Sequence, residues 1–193
     1  MTFAVSASGR TATWSGKWIQ ATGCKNEANT WQMFRKDAHL ASVPSKCVAR
    51  IAVDTKYWLW VNGKQVAFEG GLKRGPSPTG TYYDEVDLAP YLQKGDNAIA
   101  LLTVFFGKEG FSHKNSGTAA LLFDAEADGV SLSSDESWEA QVYEAFTTAP
   151  DNAPNYRLAE SAIRFDGRKA VAGWQSPDFD GHFGAAKVVK AEA

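Results

Sequence analysis

Apolar residues recur along this chain at a period of two, in short runs separated by glycine, proline, asparagine and aspartate. Such alternation places successive side chains on opposite faces of a strand, so the chain reads as a series of short β-strands. Residues 17–22 and 31–36 are the first candidates, the second leading into 38–41. In 47–54, Ala49, Ile51 and Val53 alternate with Val48, Arg50 and Ala52. Residues 57–61 then meet Asn62-Gly63, and extended chain resumes at 65–68. Asn-Gly between two apolar runs predicts a type I′ hairpin turn, which needs positive φ at both central positions. Residues 69–80 hold Pro76, Pro78 and repeated glycines, which predicts a loop.

Strand pattern returns at 82–88, and Pro90-Tyr91-Leu92 reads as one short helical turn. The most apolar stretch, 98–107, predicts a strand buried on both faces. A polar loop at 109–116 follows, then strand candidates at 118–127, 131–134 and 138–146. Residues 43–47 and 87–93 hint at helix but are too short to alter the class. The prediction is an all-β protein, an antiparallel jelly-roll-like β-sandwich rather than a barrel. Residues 1–16 form an N-terminal extension, 17–165 the sandwich, and 166–193 an irregular C-terminal segment. The pattern changes from 147 onward, before that segment: 148–154 has linker composition and 156–164 could be a returning strand. Gly173-Trp174 and the stretch 177–180 look like irregular chain pinned by aromatics. From Val188 to Ala193 no element that would complete a core is expected.

Composition narrows the function. A 193-residue chain with 44% hydrophobic and 22% charged residues can bury a core without metal or disulfide support. The formal charge of −2 offers no basic field for phosphates, so nucleic acid is not an expected partner. No apolar run is long enough to span a bilayer and no signal peptide is visible, so no membrane partner is expected and the compartment stays open. Cys24 and Cys47 could form one bridge; two free thiols, at least one buried, is the favoured reading.

No motif for catalysis stands out. Asp124, Glu126, Asp128, Gly129 and Asp135 fall at calcium-loop spacing, but strand patterns flank them and Asp128-Gly129 makes a hairpin turn. His39, His113 and His182 lack metal-ligand spacing, so neither a metal nor another cofactor is expected. Nucleophile-elbow and phosphate-loop motifs are missing. Paired carboxylates could serve glycoside hydrolysis, and Asp84, Glu85 and Asp87, Asp135 and Glu136, and Asp178 and Asp180 are the clusters; capping of turns is the simpler reading. Aromatics are the remaining lead, at 12% of residues with seven tryptophans. Trp58 and Trp60 share one strand face, opposite Tyr57, Leu59 and Val61. One face is core; the other is either covered by a neighbouring element or a ring platform for sugar. Arg74 and Tyr82, flanking the long loop, are the other candidate carbohydrate contacts.

Several segments together carry a resemblance. Leu59-Trp60-Val61-Asn62-Gly63-Lys64-Gln65-Val66, Arg74-Gly75-Pro76, Tyr82-Tyr83-Asp84, Asp87-Leu88-Ala89-Pro90-Tyr91-Leu92 and Gly95-Asp96-Asn97-Ala98-Ile99-Ala100 come in an order similar to the N-terminal sandwich domains of bacterial α-L-rhamnosidases of glycoside hydrolase family 78. Trp18-Ile19, Phe34-Arg35-Lys36, Ser134-Asp135-Glu136-Ser137-Trp138 and Phe165-Asp166-Gly167-Arg168 extend it over nearly the whole chain. The resemblance implies a galactose-binding-domain-like jelly roll, an accessory domain whose partner is a downstream catalytic (α/α)₆ barrel of the same polypeptide. It assigns no catalytic residue to this chain. Rhamnose-containing glycans are a second possible partner, since some related sandwiches bind L-rhamnose with calcium through an Asp-Asn pair. Asp96-Asn97 and Asp151-Asn152 are the dipeptides of that kind here.

Overall fold

The period-two runs become strands in a computed structural model that describes residues 13–71, 82–110, 113–150 and 160–190. In chain order these are β1 (Ile19–Gln20), β2 (Thr30–Leu40), β3 (Val48–Val53), β4 (Lys56–Val61), β5 (Lys64–Gly71), β6 (Asp84–Asp87) and β7 (Gly95–Phe105). They continue with β8 (Leu121–Asp124), β9 (Glu126–Ala127), β10 (Val130–Ser131), β11 (Glu139–Val142), β12 (Phe146–Thr148), β13 (Ile163–Phe165), β14 (Gly184–Ala185) and β15 (Lys187–Val188). A five-stranded sheet runs β15-β1-β8-β3-β6 and a six-stranded sheet β14-β11-β2-β7-β4-β5, all pairs antiparallel. The protein is therefore an antiparallel β-sandwich, as the alternation predicts.

The spine of the larger sheet is β2 against β7, paired without slip from Thr30↔Phe105 to Leu40↔Gly95. The runs 31–36 and 38–41 of the sequence reading merge into the one strand β2, which ends at Leu40, because β7 pairs along its whole length. Between the sheets lies the main core. Phe34, Tyr57, Leu59, Val61, Ile99 and Leu101 face Ile19, Ala49, Ile51, Val53, Leu121 and Phe123, all buried. Trp138 closes it, wholly buried, its indole N–H donating to the Ser133 carbonyl at 3.1 Å.

Turn chemistry falls where the sequence puts it. Asn62-Gly63 has φ of +52° and +74° and joins β4 to β5. Asp128-Gly129 has +51° and +75° and joins the small β9–β10 hairpin. The helical hint at 87–93 is a single 3-10 turn at Ala89–Tyr91 with Pro90 in its first turn; the one at 43–47 forms no helix.

The C-terminal segment departs from expectation. It completes both sheets: β14 pairs with β11, β15 pairs with β1, and the intervening Ala186 is buried in the main core. Two-residue strands are too short to carry a readable period, which is why this chain looks irregular in the sequence.

Candidate functional site

The outer face of the six-stranded sheet concentrates the aromatic chemistry. Register sets Trp31, Met33 and Arg35 of β2 beside Val104, Leu102 and Ala100 of β7, which in turn neighbour Trp58 and Trp60 of β4. Alternation that sends Tyr57, Leu59 and Val61 into the main core therefore sends Trp58 and Trp60 outward, into a second apolar cluster. Trp58 and Trp60 are half-buried. Trp60 meets Trp174 edge-on at 5.8 Å, so the C-terminal segment lies over it. Trp58 stacks on Trp31 at 5.4 Å and takes Phe68 edge-on at 6.3 Å. The row continues from Trp31 to Phe146 at 4.1 Å and from Phe146 to Phe165 at 4.9 Å. Trp31 spends its indole N–H on Asn29 Oδ1 at 2.8 Å.

Arg35 holds the covering segment down. Its guanidinium is almost fully buried, donates from Nη1 to the carbonyls of Trp174 (2.6 Å) and Ser176 (2.8 Å), and pairs through Nη2 with Asp37 (2.7 Å). The Phe179 ring lies against it at 5.4 Å. Nothing in the local sequence pattern singles Arg35 out, since Lys36, Asp37 and His39 stand in the same strand. Arg50 does the corresponding work on the outer face of the other sheet. It pairs with Asp124, donates to the Thr13 carbonyl at 2.7 Å and lies over Trp14 at 4.9 Å.

The other sequence candidates lie elsewhere. Tyr82, 37% exposed, precedes β6 in the five-stranded sheet and so lies on a different sheet from Trp58 and Trp60. Arg74 and Asp151-Asn152 lie outside the described residues. Asn97 is buried and its amide bonds Asn62, the Gln93 amide N–H, and the carbonyls of Gln93 and Gly95, while Asp96 pairs with His39 on the surface. The calcium-spaced carboxylates point apart: Asp124 to Arg50 and Ser133, Asp128 to Ser42, Asp135 to Ser137. Asp84 accepts from the Tyr57 hydroxyl and the Gly71 amide, and Asp87 from the Cys47 and Ala89 amides. These carboxylates tie turns and strand ends, and none of these pairings sets two of them across a cleft.

One polar cluster escaped the sequence reading. At the β3–β4 turn, buried Asp54 accepts from the Ser116 amide at 2.7 Å and faces His113 Nε2 at 3.3 Å. Next to it the buried Lys56 pairs with Glu160 and, at 3.5 Å, with Glu69. The Ser116 hydroxyl donates to the Thr118 carbonyl and the Thr55 hydroxyl to Asp54, so neither of these two is presented to His113 as a nucleophile would be. The cluster ties loops to the sandwich end. Cys24 and Cys47 are both free thiols. Burial first, then the charge of Asp87, pushes the Cys47 thiol up to about 11. Two open surface depressions, of about 420 and 290 Å³, lie beside Tyr143 and beside Arg50 respectively.

No protein-family model and no curated protein matches this chain. Solved structures do. A GH78 family rhamnosidase of Bacillus sp. GL1 superposes with a TM-score of 0.77 at 27% identity, over 94% of this chain and 19% of that one. An α-L-rhamnosidase from Dictyoglumus thermophilum gives 0.70 at 22% identity, over 93% and 21%. A lectin from Pleurotus ostreatus gives 0.53 at 20% identity, over 94% and 43%, a likeness of fold alone. The chain spans about a fifth of the length of these two rhamnosidases. Rhamnosidases, one of them of the GH78 family, are thus among its structural neighbours, each matched over a single part of a much longer polypeptide.

Proposed function

We propose that this chain is a non-catalytic accessory domain of an α-L-rhamnosidase-like glycoside hydrolase, one that packs on the catalytic module of the same polypeptide and shapes it. The observation that carries this reading is the superposition of nearly the whole chain on a fifth of a GH78 rhamnosidase. The disposition of the carboxylates supports it, since glycoside hydrolysis needs two of them facing across roughly 5–10 Å of open cleft, whereas Asp84, Asp87, Asp124 and Asp135 are tied to turns and strand ends. The competing reading is a carbohydrate-binding module for rhamnose-containing glycans, with Trp58, Trp60, Tyr82 and Arg74 as contacts.

Two measurements separate the readings. An accessory packing domain gives no heat on calorimetric titration with L-rhamnose or rhamnosylated glycans, with or without calcium, and does not hydrolyse a nitrophenyl rhamnoside. Deleting it from the full-length enzyme lowers that enzyme's thermal midpoint or activity. Saturable heat that disappears in Trp58→Ala would select the binding module instead. Turnover by the 193-residue chain alone would defeat both.

A further inference from the structure

The C-terminal segment covers one flank of the outer face of the six-stranded sheet. On the other flank the aromatic row runs from Phe68 through Trp58, Trp31 and Phe146 to Phe165, and its two ends are open. Phe68 is 67% exposed, Ile163 50% and Phe165 51%. Among the described residues the exposed large apolar side chains are these three with Val43 and Tyr82, so most of them lie on this one row.

The β12–β13 ribbon makes the exposure informative. It is a two-stranded sheet of three residue pairs, Phe146↔Phe165, Thr147↔Arg164 and Thr148↔Ile163, and every residue of β13 is exposed. An isolated two-stranded ribbon is marginal in water and needs further packing to persist. Phe146 supplies that packing on the inner side through Trp31 and Tyr143. Ile163 and Phe165 nevertheless stay about half exposed.

We infer that Phe68, Ile163 and Phe165 form the face by which this domain seats on the adjoining module of its parent polypeptide, against an apolar protein surface. The inference rests on the accessory-domain reading above. Three observations select a protein module over other occupants. The exposed groups are two phenylalanines and an isoleucine, which carry no polar tip, whereas a sugar platform pairs a ring with hydrogen-bonding groups. Of the two tryptophans on this row, Trp31 has already given its indole N–H to Asn29. And the rhamnosidases that share this fold have about four-fifths of their chain outside it, so a partner surface is available within one polypeptide.

The test is amide hydrogen exchange on the full-length protein and on the 193-residue chain, with the double variant Ile163→Glu, Phe165→Glu in both. Because Phe165 also packs on Phe146, the variant's own effect on the ribbon is read from the urea midpoint and exchange of the 193-residue chain that carries it, and the full-length variant is compared with that chain. The expected result is exchange in residues 146–148 and 163–165 slowed by about tenfold or more in the full-length protein, and restored to the rate of the short chain by the variant. Protection that falls on another face of the sandwich overturns this assignment and leaves the accessory reading standing. A full-length protein in which no face gains protection, or a reading frame with no further module, defeats the accessory reading itself. Self-association of the short chain that the variant abolishes would make the occupant a second copy. Rhamnoside binding that the variant abolishes would make it a glycan. Either outcome overturns the proposal.

Discussion

Arginine 35 shows how one residue couples the sheet to the tail. A guanidinium buried on an apolar face is costly unless its donors are met, and here two carbonyls and a carboxylate meet them. Arg35→Ala leaves the Trp174 and Ser176 carbonyls without that donor and should cost about 2–4 kcal/mol in urea unfolding, with a red shift of tryptophan emission as Trp174 loosens. Arg35→Lys should recover little, because one ammonium cannot reproduce the planar fork. A second residue sets an alkaline limit. The Cys47 thiol ionises at about 11 in the fold, against 9.0 for a free thiol. A group whose pKa is raised by folding contributes its full stability below the unfolded value and loses it as pH rises through the folded one. The urea midpoint should therefore hold up to about pH 9 and decline toward pH 11, and Cys47→Ala should remove that share of the decline. Tyr57, raised first by burial and then by Asp84, acts in the same direction at still higher pH.

At the scale of elements, the turns were legible and the edges were not. Asn62-Gly63 could be read from two letters because type I′ geometry admits few residues. Its asparagine does more than turn: Nδ2 donates to the Tyr91 carbonyl and Asn97 Oδ1, and Oδ1 accepts from the Ala98 amide. A Cβ on Gly63 would meet nothing within 4 Å, so only backbone strain opposes it. Gly63→Ala should thus cost about 1 kcal/mol, and Asn62→Ala about 2–3 kcal/mol through both strain and lost hydrogen bonds; paired urea curves would show that order. The reverse order would mean that the buried amide network contributes less than the turn. β14 and β15 illustrate what could not be read. Each is two residues long, too short to show an alternation. The candidate site was half-legible for the same reason. Period two places Trp58 and Trp60 on one face, but the element that covers Trp60 begins more than a hundred residues later, where local pattern carries no information about docking. Likewise Asp54, His113, Lys56 and Glu160 are brought together only by the meeting of loops at the sandwich end.

For the molecule as a whole, the high aromatic content resolves into packing of the chain upon itself. The six-stranded sheet has two apolar faces; one is covered by the other sheet, and the second must be covered by something else. An antiparallel sheet usually leaves that second face polar and wet. Here Met33, Leu102, Trp31 and Val104 make it apolar, and Trp174, Phe179 and Phe183 from the tail cover part of it. Deleting residues 170–193 tests this account, since it removes that cover and an edge strand from each sheet. Loss of the buried Trp174 and Phe183 side chains alone removes roughly 4–6 kcal/mol, at about 2–3 kcal/mol per large apolar group. Domains of this size are stable by only about 5–15 kcal/mol, so the shortened chain should lose cooperative unfolding, bind a hydrophobic dye and shift its tryptophan emission to the red. Cooperative melting without dye binding would mean that the tail is dispensable and the sheet face open by design, a surface for sugar or protein along its full width. If the tail is required, the exposed part of this face among the described residues is the row ends at Phe68, Ile163 and Phe165, which suits a domain that seats on a neighbour by a narrow apolar strip.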